Sequence, residues 1–100
     1  MKHLLDDINK AFENKIRLGI MSALMVNEAL DFNSLKELLG VTDGNLASHL
    51  KTLEKAAYIK VSKQFIGRKP NTKYSATTSG KRAFEKHIKA LENFLKNNRA

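Results

Sequence analysis

Within "VTDGNLASHLKTLEKAAYI", Val41 to Ile59, a helical turn of 100° per residue places Gly44, Ser48, Lys51, Thr52 and Lys55 on one side, with Asn45 at its edge and no acid among them. Side chains of these types exchange hydrogen bonds with base edges in a major groove and pair ammonium groups with phosphates. A second concentration lies in "IGRKPNTKY", Ile66 to Tyr74, where Arg68, Lys69 and Lys73 stand beside Gly67, Asn71 and the chain's single proline, Pro70. Cations on a stiffened turn lose less freedom on meeting phosphates, and an arginine there suits the deep negative potential of a narrow minor groove. Both groups also have plainer readings: a solvated amphipathic face, and a turn kept soluble by its charge.

The surrounding elements must hold these groups in place. Thr42 is a good N-cap, and Val41 and Leu46 then occupy the two positions of a hydrophobic staple, while Leu46, Leu50 and Leu53 face a core. Downstream, "YIKVSKQFI" alternates, with Ile59, Val61 and Phe65 on one side and Lys60, Ser62 and Gln64 on the other; Lys63 interrupts the apolar series. "TKYSATT" repeats the alternation after the turn formers Gly67, Pro70 and Asn71, which predicts a hairpin. Upstream, Ile16, Ile20 and Leu24, with Met21 and Met25, predict a central helix buried on several sides. "DFNSLKELLG" predicts a short helix capped by Asn33, with Leu35, Leu38 and Leu39 facing the core and Gly40 in the left-handed terminal position.

Two further stripes flank this unit. Leu5, Ile8 and Phe12 recur at helical spacing near the N-terminus, and Phe84, Ile88, Leu91 and Leu95 form a coiled-coil-like seam, with Phe94 beside it and Thr77 as the cap. The seam is long for so small a core to cover. Residues 1–13 and 85–100 are therefore expected to be dimerisation helices of one domain spanning residues 1–100.

Composition narrows the partners. The chain has 100 residues, 42% hydrophobic and 28% charged, as expected for one globular domain, with net charge +8 and a pI near 9.9. Residues 1–50 carry five Lys/Arg against seven Asp/Glu, whereas residues 51–100 carry thirteen against three. That asymmetry points to a polyanion. The absence of cysteine removes disulfides and thiolate metal sites, and no apolar run reaches the length of a membrane span, so a cytoplasmic protein with no membrane partner is expected. No cofactor is expected either. "GRKPN" lacks the glycines and helix start of a phosphate loop, and His3, His49 and His87 fall on separate elements. No nucleophile has an evident base beside it, so catalysis is not expected.

The order helix, short helix, helix, hairpin, helix is that of a winged helix-turn-helix, mainly α with a small β-hairpin wing. At "IRLGIMSAL", "DFNSLKELLGVTDGNLASHLKTLEKAAYI" and "GRKPNTKYSATTSGKRAF", roughly residues 14–88, the sequence resembles the winged helix regulators of the MarR and ArsR superfamily, in particular the small single-domain branch. The resemblance implies operator binding to double-stranded DNA as a homodimer, with the recognition helix, about 42–57, in the major groove and the wing, about 58–76, on the backbone or minor groove. It makes Asn45, Ser48 and Thr52 readers of base edges, and Thr42, Lys51, Lys55, Arg68, Lys69 and Lys73 backbone contacts, with Asn71 on the wing. Asp43 either accepts from a cytosine amine or serves the helix dipole as a first-turn acid. His49, nearer the core side, is either packed or bonded to phosphate.

The sequence departs from the family pattern in three places. Ala57 stands where glycine is usual, "TTSG" replaces an acidic pair with Ala76 where a larger apolar residue is common, and the cysteines of metal-sensing ArsR members are missing. Nothing marks an effector pocket. Regulation, by repression, is thus the expected function; the competing reading is a winged helix module that docks an acidic partner protein.

Overall fold

Local hydrogen-bond chemistry sets the element boundaries in the computed structural model, which describes residues 3–97. Asn14 accepts the N–H groups of Ile16 and Arg17 and so starts helix α1, Lys15–Val26, whose Ile20, Met21, Ala23 and Leu24 are all buried. Strand β1, Leu30–Asp31, runs directly into helix α2, Phe32–Leu39. The cap of α2 is Asp31 and not Asn33: its carboxylate accepts the Ser34 N–H at 2.7 Å. That bond holds the Asp31 carboxyl below its usual range, and a charged cap gains from the helix dipole as Asn33 could not. Of the three leucines expected inside, Leu35 is buried and Leu39 packs on the core, but Leu38 is 63% exposed because α2 touches the core along a narrow strip. Gly40 closes the helix at φ 63°.

Helix α3, Asp43–Lys55, begins at Thr42, whose hydroxyl accepts the Asn45 N–H, and it buries Leu46, Leu50 and Leu53. It ends through Ala57 at φ 63°, so the glycine-favouring geometry is retained at a cost of about 1 kcal/mol. Strands β2, Ile59–Ile66, and β3, Lys69–Ala76, pair antiparallel from Ile59↔Ala76 to Ile66↔Lys69. The turn is therefore only Gly67 and Arg68, with Gly67 at φ 66°. Pro70 and Asn71 lie within β3, opposite Phe65 and Gln64, and not in the turn. The pair next to the closing pair of a two-residue hairpin exchanges no ladder bonds, so the missing N–H of Pro70 costs none. β1 adds a third strand, Leu30↔Tyr74 and Asp31↔Lys73, in the order β1-β3-β2.

Helix α4, Thr78–Asn97, is locked to the end of α3 by one residue. The Thr77 N–H donates to the Tyr58 carbonyl, its hydroxyl donates to the Ala57 carbonyl, and the same oxygen accepts the Gly80 N–H. Gly80 packs directly on the Tyr58 backbone.

The N-terminal stripe does not form the expected helix. Residues 4–7 make a turn, and Asn9 accepts the Ala11 N–H to start a single 3-10 turn, Lys10–Phe12. Phe12 is driven inward to 2% exposure, against Phe84 edge-on at 5.2 Å, Tyr58 at 5.3 Å and His87 at 5.3 Å. Phe12 and Phe84 thus complete the core of one chain, and Phe12 is unavailable to a partner. Residues 1, 2 and 98–100 of the expected dimerisation segments lie outside the described residues.

His87 is buried within α4, and its Nδ1 accepts the Asn9 N–H at 3.0 Å. Burial pushes its pKa below the ordinary histidine value, opposed by Glu13. The unfolded chain takes up a proton near pH 6.5 that the folded chain resists, so this contribution is whole above that pH and is lost as pH falls toward the folded pKa. Denaturant midpoints should therefore decline as pH falls below about 6.5. His87→Gln, which keeps an acceptor without titrating, should flatten that decline; an unchanged slope would mean that other groups carry it.

Candidate nucleic-acid interface

The surface built from α3 and the hairpin brings most of the expected contact residues to one end of the molecule. Thr42, Asp43, Asn45, Ser48, Lys51, Thr52 and Lys55 are all exposed on α3. The Thr52 hydroxyl donates to the Ser48 carbonyl at 3.2 Å, which leaves its oxygen as an acceptor for base amines. Asp43 is ion-paired with Lys36 of α2 at 2.7 Å. This favours its reading as a first-turn acid, tying α2 to the start of α3, although an exposed pair adds little stability.

His49 is half-buried, with Nδ1 3.0 Å from Nη1 of Arg17. A guanidinium only donates, so Nδ1 accepts and Nε2 carries the proton, free to donate to a phosphate. Arg17 is itself anchored by its Nε donating to the Ala11 carbonyl at 2.6 Å. The bond joins residues 32 apart in the chain, and no local pattern at Arg17 announces it.

The hairpin divides its cations between two faces. Lys63, Thr72, Val61 and Tyr74 look toward α3 across a groove of about 290 Å³, whose other wall includes Leu50, Lys51 and Glu54. Lys63, which interrupts an apolar series, thus stands across the groove from Lys51 and joins the positive surface. Burial, and secondarily Glu54, pushes the Tyr74 phenol pKa up, which keeps its proton in place. Strand alternation puts Lys69, Asn71 and Lys73 on the opposite face. Lys73 sits in register between Asp31 and Ser62, so part of its charge is answered by Asp31, whereas Arg68 and Lys69 at the tip are exposed.

A separate apolar surface lies along α4. Leu95 is 80% exposed and Leu91 is also exposed, with Ile88 and Phe94 half-buried, whereas the exposed Leu5 and half-buried Ile8 belong to the N-terminal segment, which meets α4 around Ala83, Lys86 and Ala90. Met25, Phe84 and Ile88 line an open groove of about 460 Å³ between α1 and α4, with Glu85, Lys89 and Glu92 at its rim. Among the described residues no helix is long and apolar enough to cross a membrane.

Helix, hairpin and flanking helices in this arrangement define a winged helix. Residues 16–95 match the winged helix DNA-binding domain family, and the chain belongs to it. It is 36% identical over 88 residues to an uncharacterized protein of Methanocaldococcus jannaschii, covering 88% of this chain and 96% of that one. The transcriptional regulator homologue protein from Pyrococcus horikoshii OT3 superposes with a TM-score of 0.84 at 26% identity, over 97% of this chain and 94% of that chain. A MarR-family protein from Porphyromonas gingivalis W83 superposes with a TM-score of 0.70 at 23% identity, over 90% and 86% of the two chains. That last likeness is one of fold alone.

Proposed function

We propose that the protein is a transcriptional regulator that binds a roughly palindromic DNA site as a homodimer and represses by occupying promoter DNA. One observation carries the reading. An exposed helix face of hydroxyl, amide and ammonium groups lies beside a hairpin that has five Lys/Arg and no acid over residues 59–76. Such a surface both positions on phosphate and reads bases. Family membership and the likeness to the Pyrococcus protein support it. In this reading Asn45, Ser48 and Thr52 read base edges, while Lys51, Lys55, Arg68 and Lys69 hold the backbone. Leu91, Leu95 and Leu5 supply apolar surface for a second copy, which would set two α3 helices about one helical turn of DNA apart. The chain acts as a binding protein and not as an enzyme.

The test is fluorescence anisotropy with DNA from upstream of its own gene and with a scrambled duplex, over several salt concentrations, with sedimentation of the complex. Tight binding to the first duplex alone, by two chains, is expected. Arg68→Ala should weaken binding to both duplexes and shallow the salt slope by about one. Equal weak binding to both duplexes, untouched by the substitution, would refute the reading and direct attention to an acidic protein partner.

A further inference from the structure

The tip of the hairpin carries apolar surface that neither the core nor the phosphate contacts use. Phe65 is 76% exposed and Ile66 62%. Phe65 lies across from Pro70 and Ile66 across from Lys69, so the two project from opposite faces of the ribbon, immediately behind the Gly67–Arg68 turn. Folding does not require them there. The two-residue turn and the inner strand pairs fix the register, and neither side chain joins the core. Exposed apolar residues of this size, gathered at one point, mark a contact.

The surroundings identify its chemistry. All five charged residues of the hairpin are cations, so the partner is a polyanion. A membrane surface would be met by one broad apolar face. Here Phe65 and Ile66 stand on opposite faces at the narrow end of a two-stranded ribbon, so each face presents a single apolar side chain, the size of a wedge, and no broad apolar face. Wedges of Phe, Ile or Pro enter base steps from the minor groove, open it and bend the duplex toward the major groove.

Resting on the DNA-binding reading above, we infer that Phe65, backed by Pro70 on the same face, enters the minor groove beside each half-site and partly unstacks one base step. Arg68 at the turn holds the adjacent phosphate. The consequence for sequence is opposite to that of an arginine acting alone. An arginine prefers the stiff, narrow groove of an A-tract, whereas a wedge prefers the easily opened TA and CA/TG steps. Phe65 is thus a specificity-determining residue at positions that no polar side chain reads.

The experiment uses a duplex selected by the protein from a random library, its flanks rebuilt as either A-tracts or TpA steps, with 2-aminopurine at the step beside the half-site. Wild type should bind the TpA flank about tenfold more tightly and raise the 2-aminopurine fluorescence. Phe65→Ala should lose both effects with its salt slope unchanged, and Phe65→Leu should keep most of the preference. Arg68→Ala should shallow the slope by about one while keeping the fluorescence rise. Because Phe65 is exposed, these variants should retain the wild-type circular dichroism spectrum. Equal binding to the two flanks, or a preference for the A-tract without unstacking, overturns the wedge and leaves the DNA-binding reading intact. Failure to select any duplex overturns both. Phe65-dependent binding to phosphatidylglycerol vesicles without a flank effect would assign the tip to a membrane and overturn the wedge.

Discussion

Gly80→Ala should lower the melting temperature by about 10–20 °C, the largest effect of any glycine-to-alanine change in this chain. A Cβ at Gly80 would fall 2.7 Å from the Tyr58 carbonyl carbon and 2.9 Å from its Cα, and closer still to the carbonyl oxygen. The obstruction is backbone, so no rotamer relieves it. That carbonyl also accepts the Thr77 N–H, so moving it aside breaks the cap of α4 as well. Overpacking of this kind costs about 1–3 kcal/mol or more against a total stability of about 5–15 kcal/mol. Ser79→Ala, one residue earlier and exposed, is the control and should change little. A loss of less than about 2 °C at Gly80 would show that α4 can slide away from Tyr58 at little cost.

Asn45→Ala combined with Ser48→Ala should cut the preference for the selected duplex over a scrambled one by about a hundredfold, since a good base contact discriminates by about 1–3 kcal/mol. Neither change removes a charge, so the salt slope and the affinity for scrambled DNA should stay put. Both residues are exposed, and the Asn45 backbone N–H bonded to Thr42 survives the substitution, which separates recognition from folding. Parallel losses on both duplexes would move these two residues from base reading to backbone contact.

The elements that present this surface were largely legible in the sequence. Thr42, Gly40 and the Leu46, Leu50, Leu53 stripe are local signals, complete within about two turns of helix, and the structure uses each as expected. The hairpin announced itself through period-two alternation, yet its turn is shorter than composition implied, because Pro70 satisfies the geometry of an outward-facing strand position as well as that of a turn. The failures share a physical cause. The Leu5, Ile8, Phe12 spacing is helical, but Phe12 gains more from the ring cage of Tyr58, Phe84 and His87 than the segment gains from one helix turn, and those partners lie 46 or more residues away. β1 is two residues long, too short for any periodicity. Of the candidate site, the α3 face was readable because one helix presents it, whereas the Arg17–His49 bond and the Lys63–Lys51 groove exist only once distant elements are packed.

The three-stranded sheet leaves two open margins. β2 is outermost along its whole length, and β1 covers β3 only at Lys73 and Tyr74. Strands with free margins recruit one another at high concentration, and what prevents it is usually lysine or proline placed along them. Here Lys60 and Lys63 line one margin, and Lys69 and Pro70 guard the other. Lys69, placed on the DNA backbone in the proposed function, thus also helps keep the sheets of neighbouring molecules apart, so in that reading the solubility of the free protein and its DNA binding share a charge. A chain that shed the margin lysines would be expected to aggregate even where its fold was unchanged.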